Sequence, residues 1–117
     1  SPESMKAALS AFDKINFDGQ KIVVLGDMLE LGINSSFWHR QVGRFLKKVP
    51  SITQVLLVGD LVKWTQKTAP INVKIDHVAN WQEAVKKLDE KLVKNSLVLV
   101  KASRGMQLQK LVEEVSQ

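Results

Sequence analysis

The chain has 117 residues, of which 44% are hydrophobic and 25% charged, and this composition is typical of one globular domain with its own core. It contains no cysteine, which excludes disulfides, thiol catalysis and cysteine-ligated metals and suits a cytoplasmic location, and no apolar run approaches the roughly 20 residues of a membrane span. The net charge of +5 comes from lysines spread along the sequence, which we interpret as a solvated surface and not as a nucleic-acid interface.

Helical and strand patterns alternate along the chain. The predicted elements are a helix at 2–15, a strand at 21–25, a helix at 36–48, a strand at 54–58, a short helix capped by Asp60, an edge strand at 73–78, a helix from Asn80 to about 93, a strand at 97–100 and a helix at 106–115. Gly43 lowers the stability of the second helix by about 1 kcal/mol relative to alanine, so we expect it to pack closely against a neighbour.

This alternation predicts a three-layer, Rossmann-like α/β domain, with a parallel sheet of about four strands in the order 3-2-1-4 and helices on both faces. Short apolar runs bounded by turn residues are typical of strands in parallel sheets. We expect strands one and four, the most apolar, to be central, and the winding of the chain to reverse between them.

Two loops carry most of the candidate functional side chains. Asp27 and Glu30 follow the first strand, and Lys101, Ser103 and Arg104 follow the fourth. Ligands of open α/β sheets bind beyond the carboxyl ends of strands at the reversal point, where these loops are predicted to meet. The cationic side chains and the start of a following helix suit a carboxylate or phosphate, and the two acids could accept from sugar hydroxyls or an amine, or hold a metal.

Simpler alternatives exist for each group. Asp27 and Glu30 could be solvated residues of a turn, and Lys101 and Arg104 could simply pair with them. His39 is a candidate to hydrogen-bond the first loop, although a plain structural role is as consistent with its position, and His77 should be exposed at the end of the edge strand.

No zinc site and no complete nucleotide site is predicted. The chain has no cysteine and no paired histidines for zinc. It contains neither a GxxxxGK[ST] phosphate loop nor a GxGxxG fingerprint. A nucleotide, if bound, would find only part of its site here.

Four segments, in this order and spacing, resemble the C-terminal domain of the Mur ligase family: SPESM at 1–5, LGDMLELG at 25–32, HRQVG at 39–43 and VKASRGM at 100–106. The resemblance covers essentially the whole chain, and GDMLELG together with KxSRGM is its most specific part. Since the chain starts within what looks like the first turn of a helix, without a methionine, we expect residues 1–117 to be one domain of a longer protein.

The resemblance implies the C-terminal, third domain of an ATP-dependent amide ligase of peptidoglycan synthesis, inactive when isolated. Its implied substrates are D-alanyl-D-alanine and UDP-N-acetylmuramoyl-tripeptide, joined through an acyl phosphate. Its implied partners are the N-terminal and central domains of the same chain, the central one holding most of the contacts to ATP and Mg²⁺. Neither nucleic acid nor a membrane span is implied.

The same resemblance assigns roles to residues of this sequence. It implies that Asp27 contacts the ATP ribose and that Lys101, Ser103 and Arg104 contact the incoming dipeptide. Three further residues are implied only as supports of the loops: Glu30, His39 and, by position alone, Asp60. No catalytic residue or metal ligand is expected within the domain.

Two rival hypotheses use the same residues. A stand-alone regulatory α/β module would bind a small anion at the reversal point without partner domains. A basic nucleic-acid-binding domain would bind DNA or RNA in a salt-dependent manner, which the dispersed lysines argue against.

Overall fold

The computed structural model describes residues 1–93 and 95–102 of the chain. Its centre is a parallel sheet in the order β3-β2-β1-β4, as predicted. The strands are β1 (Gln20–Gly26), β2 (Gln54–Val58), β3 (Lys74–Val78) and β4 (Ser96–Lys101). The helices are α1 (Pro2–Asp13), α2 (Ser35–Phe45), α3 (Lys63–Thr68) and α4 (Trp81–Lys91), with 3-10 turns at Gly32–Asn34 and Leu46–Lys48.

The helices cover both faces of the sheet, which confirms the three-layer prediction. Apolar residues of α1 and α2 form one core with Val23 and Leu25 of β1, while α4 forms the other core with Ile22 and Val24. Successive side chains of a strand point to opposite faces, so β1 supplies both cores from one continuous apolar run. The helix predicted at 106–115 lies outside the described residues.

The predicted central position of β4 is wrong for the described sheet. β1 and β2 each have a described strand on both sides, and β1 is buried from Lys21 to Gly26. β4 pairs only with β1 among the described strands, and each of its residues is half-buried. An apolar strand sequence indicates that helices cover both faces of the strand. It does not indicate how many strands lie beside that strand in the sheet.

Local signals predicted the ends of the helices unevenly. Ser1 caps α1, and the side chain of Asn80 accepts from the backbone N–H of Glu83 at 2.9 Å, as expected of N-caps. The cap predicted at Asp60 is wrong, because α3 begins at Lys63 after Val62 and has no side-chain cap.

Gly43 is packed as tightly as predicted. A Cβ atom built on Gly43 would lie 2.3 Å from the carbonyl oxygen of Thr65 and 2.0 Å from Oγ1 of Thr68. α2 and α3 therefore approach each other at a distance that only glycine permits at this position.

Candidate functional site

The carboxyl ends of β1 and β4 lie side by side at one edge of the sheet. The chain passes from β1 to β2 through α2 on one face and from β3 to β4 through α4 on the other, so its winding reverses between β1 and β4. In the β1–β4 register Lys101 is paired with Leu25, which lies two residues before Asp27 in the sequence. The structure thus has the predicted reversal point, where open α/β sheets bind ligands.

Asp27 is buried and holds the turn that follows β2. Its side chain accepts two backbone N–H groups, from Asp60 at 3.1 Å on Oδ2 and from Val62 at 2.9 Å on Oδ1. Only 6% of Asp27 is exposed. These two bonds hold the backbone of residues 60–62 in a turn, which explains why α3 starts later than the sequence predicts.

Gly59 makes room for this carboxylate. It has a φ of +122°, and a Cβ atom built on it would lie 2.6 Å from the carboxyl group of Asp27. Both the left-handed backbone and the close approach require glycine here. The glycine that follows β2 is therefore part of the Asp27 site.

The Asp27 carboxylate retains capacity for a ligand. Each carboxylate oxygen carries two lone-pair sites, and one site on each oxygen is used by the turn. A ribose diol, with two O–H donors, matches the remaining acceptors in chemistry. The residues present therefore fit a nucleotide sugar, provided that it approaches through the small exposed part of the side chain.

His39 anchors the start of the loop after β1. Its Nε2 accepts the backbone N–H of Met28 at 3.0 Å, so its Nδ1 carries the proton and donates to the carbonyl oxygen of Ser35 at 2.7 Å. His39 is 1% exposed, and its own carbonyl accepts from Oγ1 of Thr65 at 2.9 Å. His39 thus makes the predicted hydrogen bond to the first loop, and both of its ring nitrogens have a hydrogen-bond partner.

The remaining candidates are less enclosed. Glu30 is exposed at the tip of its loop with a φ of +64°, and Lys101 is half-buried at the end of β4. Among the residues that the structure describes, no ion pair joins Lys101 to Asp27 or Glu30, so the alternative of a simple pair between these loops is wrong for Lys101. Ser103 and Arg104 lie outside the described residues.

A cavity of about 270 Å³ adjoins the Asp27 turn at the same edge. Its walls come from the ends of β2 and β3 and include Gly59, Asp60 and His77. His77 is exposed, as predicted, and its Nε2 lies 2.6 Å from the carbonyl oxygen of Gly59. A larger cavity of about 510 Å³ lies at the opposite, amino-terminal edge, where Lys21 and Ser51 line it.

The burial of Lys21 was not anticipated from the sequence. This lysine is 8% exposed, and its ammonium group donates to the carbonyl oxygens of Phe12 and Asp13 and to Oγ of Ser51. It therefore satisfies the carbonyl groups at the end of α1, where a cation is favourable. The sequence offered one signal of this burial. Lys21 stands at the start of an apolar run, directly after a helix and a short turn.

Neither a metal centre nor a membrane span is found in the described part of the chain. No group of three or more histidine, aspartate or glutamate residues there could hold a metal ion. No helix in residues 1–93 and 95–102 is long and apolar enough to cross a bilayer. The described part of the site is thus a buried acceptor, Asp27, at the edge of the sheet where β4 ends in Lys101.

Residues 1–104 match the family model of the Mur ligase, glutamate ligase domain. The chain therefore belongs to the Mur ligase C-terminal domain family. It is 34% identical over 98% of its length to the UDP-N-acetylmuramoyl-tripeptide--D-alanyl-D-alanine ligase of Bacillus subtilis (strain 168), and 33% identical over 97% to the ligase of that name from Rickettsia prowazekii (strain Madrid E). It spans 26% and 25% of the length of these two relatives.

Solved structures of the same ligases share the fold. MurF from Acinetobacter baumannii superposes with a TM-score of 0.84 at 26% identity, over 98% of this chain and 25% of that protein. The MurF ligase of Thermotoga maritima in complex with ADP superposes with a TM-score of 0.75 at 25% identity, again over 98% of this chain and 25% of the other.

Proposed function

We propose that this chain is the C-terminal domain of an ATP-dependent ligase that adds D-alanyl-D-alanine to UDP-N-acetylmuramoyl-tripeptide, in the cytoplasm. The observation that carries the proposal is the similarity of almost the whole chain to one quarter of ligases with this activity in their names. On this proposal the N-terminal and central domains of the same protein complete the site, and the isolated domain has no ligase activity.

The proposed roles of the residues are those that the resemblance to the family implies. ATP supplies the phosphoryl group that activates the tripeptide carboxylate. Asp27 contributes the free acceptor sites of its carboxylate to the nucleotide ribose, while Asp60 and Val62 hold that carboxylate in one orientation. Lys101, Ser103 and Arg104 form the cationic loop that receives the dipeptide carboxylate, a pairing favoured for basic side chains.

Magnesium would need ligands from outside the described residues. A divalent cation of this kind prefers several oxygen ligands, and the described residues offer no suitable group of acids. The proposal therefore assigns Mg²⁺ to the central domain and to the nucleotide phosphates, and it gives Glu30 and His39 supporting roles in the loop.

A titration of the isotopically labelled 117-residue chain tests these assignments. ATP should shift the amide resonances of residues 26–28, and D-alanyl-D-alanine should shift those near Lys101. The Lys101→Gln variant should lose most of the dipeptide-induced shift, whereas Lys74→Gln, an exposed lysine at the amino-terminal end of β3, should keep it.

Two outcomes would contradict the proposal. Shifts confined to another surface would move the site. Saturable shifts at the same edge with inorganic phosphate, and none with ATP or the dipeptide, would favour the stand-alone anion-binding module.

A further inference from the structure

The positive charge of the chain is concentrated in one segment. Residues 31–75 contain seven of the 17 basic residues but only one of the 12 acidic ones, so this segment has a net charge of +6. The rest of the chain has ten basic and eleven acidic residues. The lysines that look dispersed along the sequence therefore leave one part of the molecule basic and the remainder nearly neutral.

Within this segment, α2 and α3 form a basic face around one tryptophan. The guanidinium carbon of Arg40 lies 5.4 Å from the ring centre of Trp64, and the ammonium groups of Lys63 and Lys67 lie 5.6 and 4.8 Å from it. We call these four residues the basic face. Three cations share one indole ring, an arrangement in which each cation is attracted to the ring and repelled by the other two.

Nearby acids do little to neutralise the basic face. Asp60 pairs with Lys63 at 3.6 Å, but the two side chains are 81% and 46% exposed, so water screens the pair. No ion pair among the described residues involves Arg40 or Lys67. The face thus presents uncompensated positive charge to its surroundings.

Bulky apolar side chains stand exposed at the N-terminal end of the same layer. Ile33 is 98% exposed and Phe37 is 43% exposed, with the Phe37 ring in edge contact with Trp38 at 4.9 Å between ring centres. Ile33 lies in the 3-10 turn before α2, and Phe37 lies in its first turn. Phe37 and Arg40 are three residues apart on α2, so their side chains share one side of that helix. Exposed apolar groups on the same side as cations are typical of surfaces that lie on a bilayer.

We propose that the α2–α3 layer docks on an anionic phospholipid bilayer. The basic face contacts the phosphate headgroups, and Ile33 and Phe37 enter the interfacial region. A nucleic acid is the poorer fit, because aromatic residues of single-strand binders present a free ring face for base stacking, whereas three cations occupy the ring of Trp64. Binding to a nucleic acid would also leave the fully exposed Ile33 without a contact.

Sedimentation with lipid vesicles tests the proposal on the 117-residue chain. The chain should bind phosphatidylglycerol–phosphatidylcholine vesicles, bind pure phosphatidylcholine vesicles weakly, and dissociate as salt is raised. Replacing both Lys63 and Lys67 by glutamine should weaken binding by roughly thirtyfold, the effect of two basic residues near an anionic surface. Circular dichroism and thermal melting establish that each variant is folded.

Matched variants separate this face from general charge. Lys86→Gln with Lys87→Gln removes the same charge from α4, on the other face of the sheet, and should leave binding unchanged. Ile33→Ser should weaken binding several-fold, whereas Ile71→Ser, at an equally exposed isoleucine before β3, should not. Equal binding to neutral and anionic vesicles, an equal loss in the α4 variant, no vesicle binding by the folded chain, or tighter binding to duplex DNA or an acidic peptide than to vesicles would each overturn the proposal.

Discussion

Asp27 links two loops through a single buried carboxylate. The sequence marks this residue as a ligand candidate, and the structure shows that both of its oxygens also hold the turn after β2. The two roles are compatible, because a carboxylate oxygen accepts two hydrogen bonds. A ligand that binds Asp27 would therefore contact a group whose orientation is already set by the fold.

Asp27→Asn should destabilise the protein by about 1–3 kcal/mol. Asparagine has one acceptor oxygen, so one of the backbone N–H groups of Asp60 and Val62 would face an amide N–H₂ and remain buried without a partner. Urea unfolding measures the loss. Glu30→Gln is the control, since Glu30 is exposed and should change stability by less than about 0.5 kcal/mol. Equal stability of Asp27→Asn and the wild type would mean that the turn does not depend on the carboxylate.

The contact between α2 and α3 depends on backbone proximity and not on helix propensity. Hydroxyl groups of α3 reinforce it, with Thr65 and Thr68 donating to the carbonyl oxygens of His39 and Arg40 at 2.9 and 2.7 Å. These carbonyls already belong to α2, so each is a shared acceptor between two helices. The contact between α2 and α3 therefore also fixes the position of His39, which holds the loop after β1 through Met28.

Gly43→Ala should destabilise the protein by about 1–3 kcal/mol, because the added methyl group would overlap backbone atoms of Thr65 that cannot move alone. Alanine would normally stabilise a helix by about 1 kcal/mol relative to glycine. The control Ala7→Gly, at an exposed position of α1, should show that ordinary preference. Thermal unfolding compares the two variants, and a more stable Gly43→Ala would show that the helices can separate at little cost.

An ion pair joins β3 to α4 and makes their contact sensitive to acid. Asp76 of β3 pairs with Lys91 of α4, and their side chains are only 27% and 10% exposed. The hydrogen bond from Lys91 holds the pKa of Asp76 below its ordinary value of 3.8, against the effect of burial, which raises it. The unfolded chain therefore binds this proton at higher pH than the folded protein does.

Asp76→Asn should lower the free energy of unfolding by about 1 kcal/mol near neutral pH. The lost stabilisation is fully present above pH 3.8 and disappears as the pH falls through the lowered pKa, so the difference from the wild type should shrink in acid. Urea unfolding across this range measures it. Asp89→Asn, at an exposed position of α4, should follow the wild type throughout, and a pH-independent difference for Asp76→Asn would exclude the ion pair as its cause.

For the molecule as a whole, the position of a strand in the sheet should set its local stability. β1 is buried and has strands on both sides, while β3 lies at an edge of the described sheet with two exposed residues, Lys74 and His77. We expect amide hydrogen exchange to be slowest in β1 and β2 and several-fold faster in β3, because edge strands open without global unfolding. Exchange in β3 as slow as in β1 would contradict this order.

The order of the strands, the two helical layers, the caps at Ser1 and Asn80 and the tight fit at Gly43 were all predictable from the sequence. Each depends on a local signal, such as hydrophobic periodicity, turn residues or an amino acid that is costly unless packing requires it. The carboxyl edge as the place of the candidate site follows from the same reasoning, since topology determines that the ends of β1 and β4 are adjacent.

Tertiary structure alone decided the partners of the polar groups. Asp27 meets Asp60 and Val62 across 33 and 35 positions of sequence, and Lys21 reaches Ser51 across 30. The gathering of Arg40, Lys63 and Lys67 around one indole has the same origin. Periodicity reports whether a residue is buried, but the identity of its neighbour depends on how distant segments pack, and no local pattern records that.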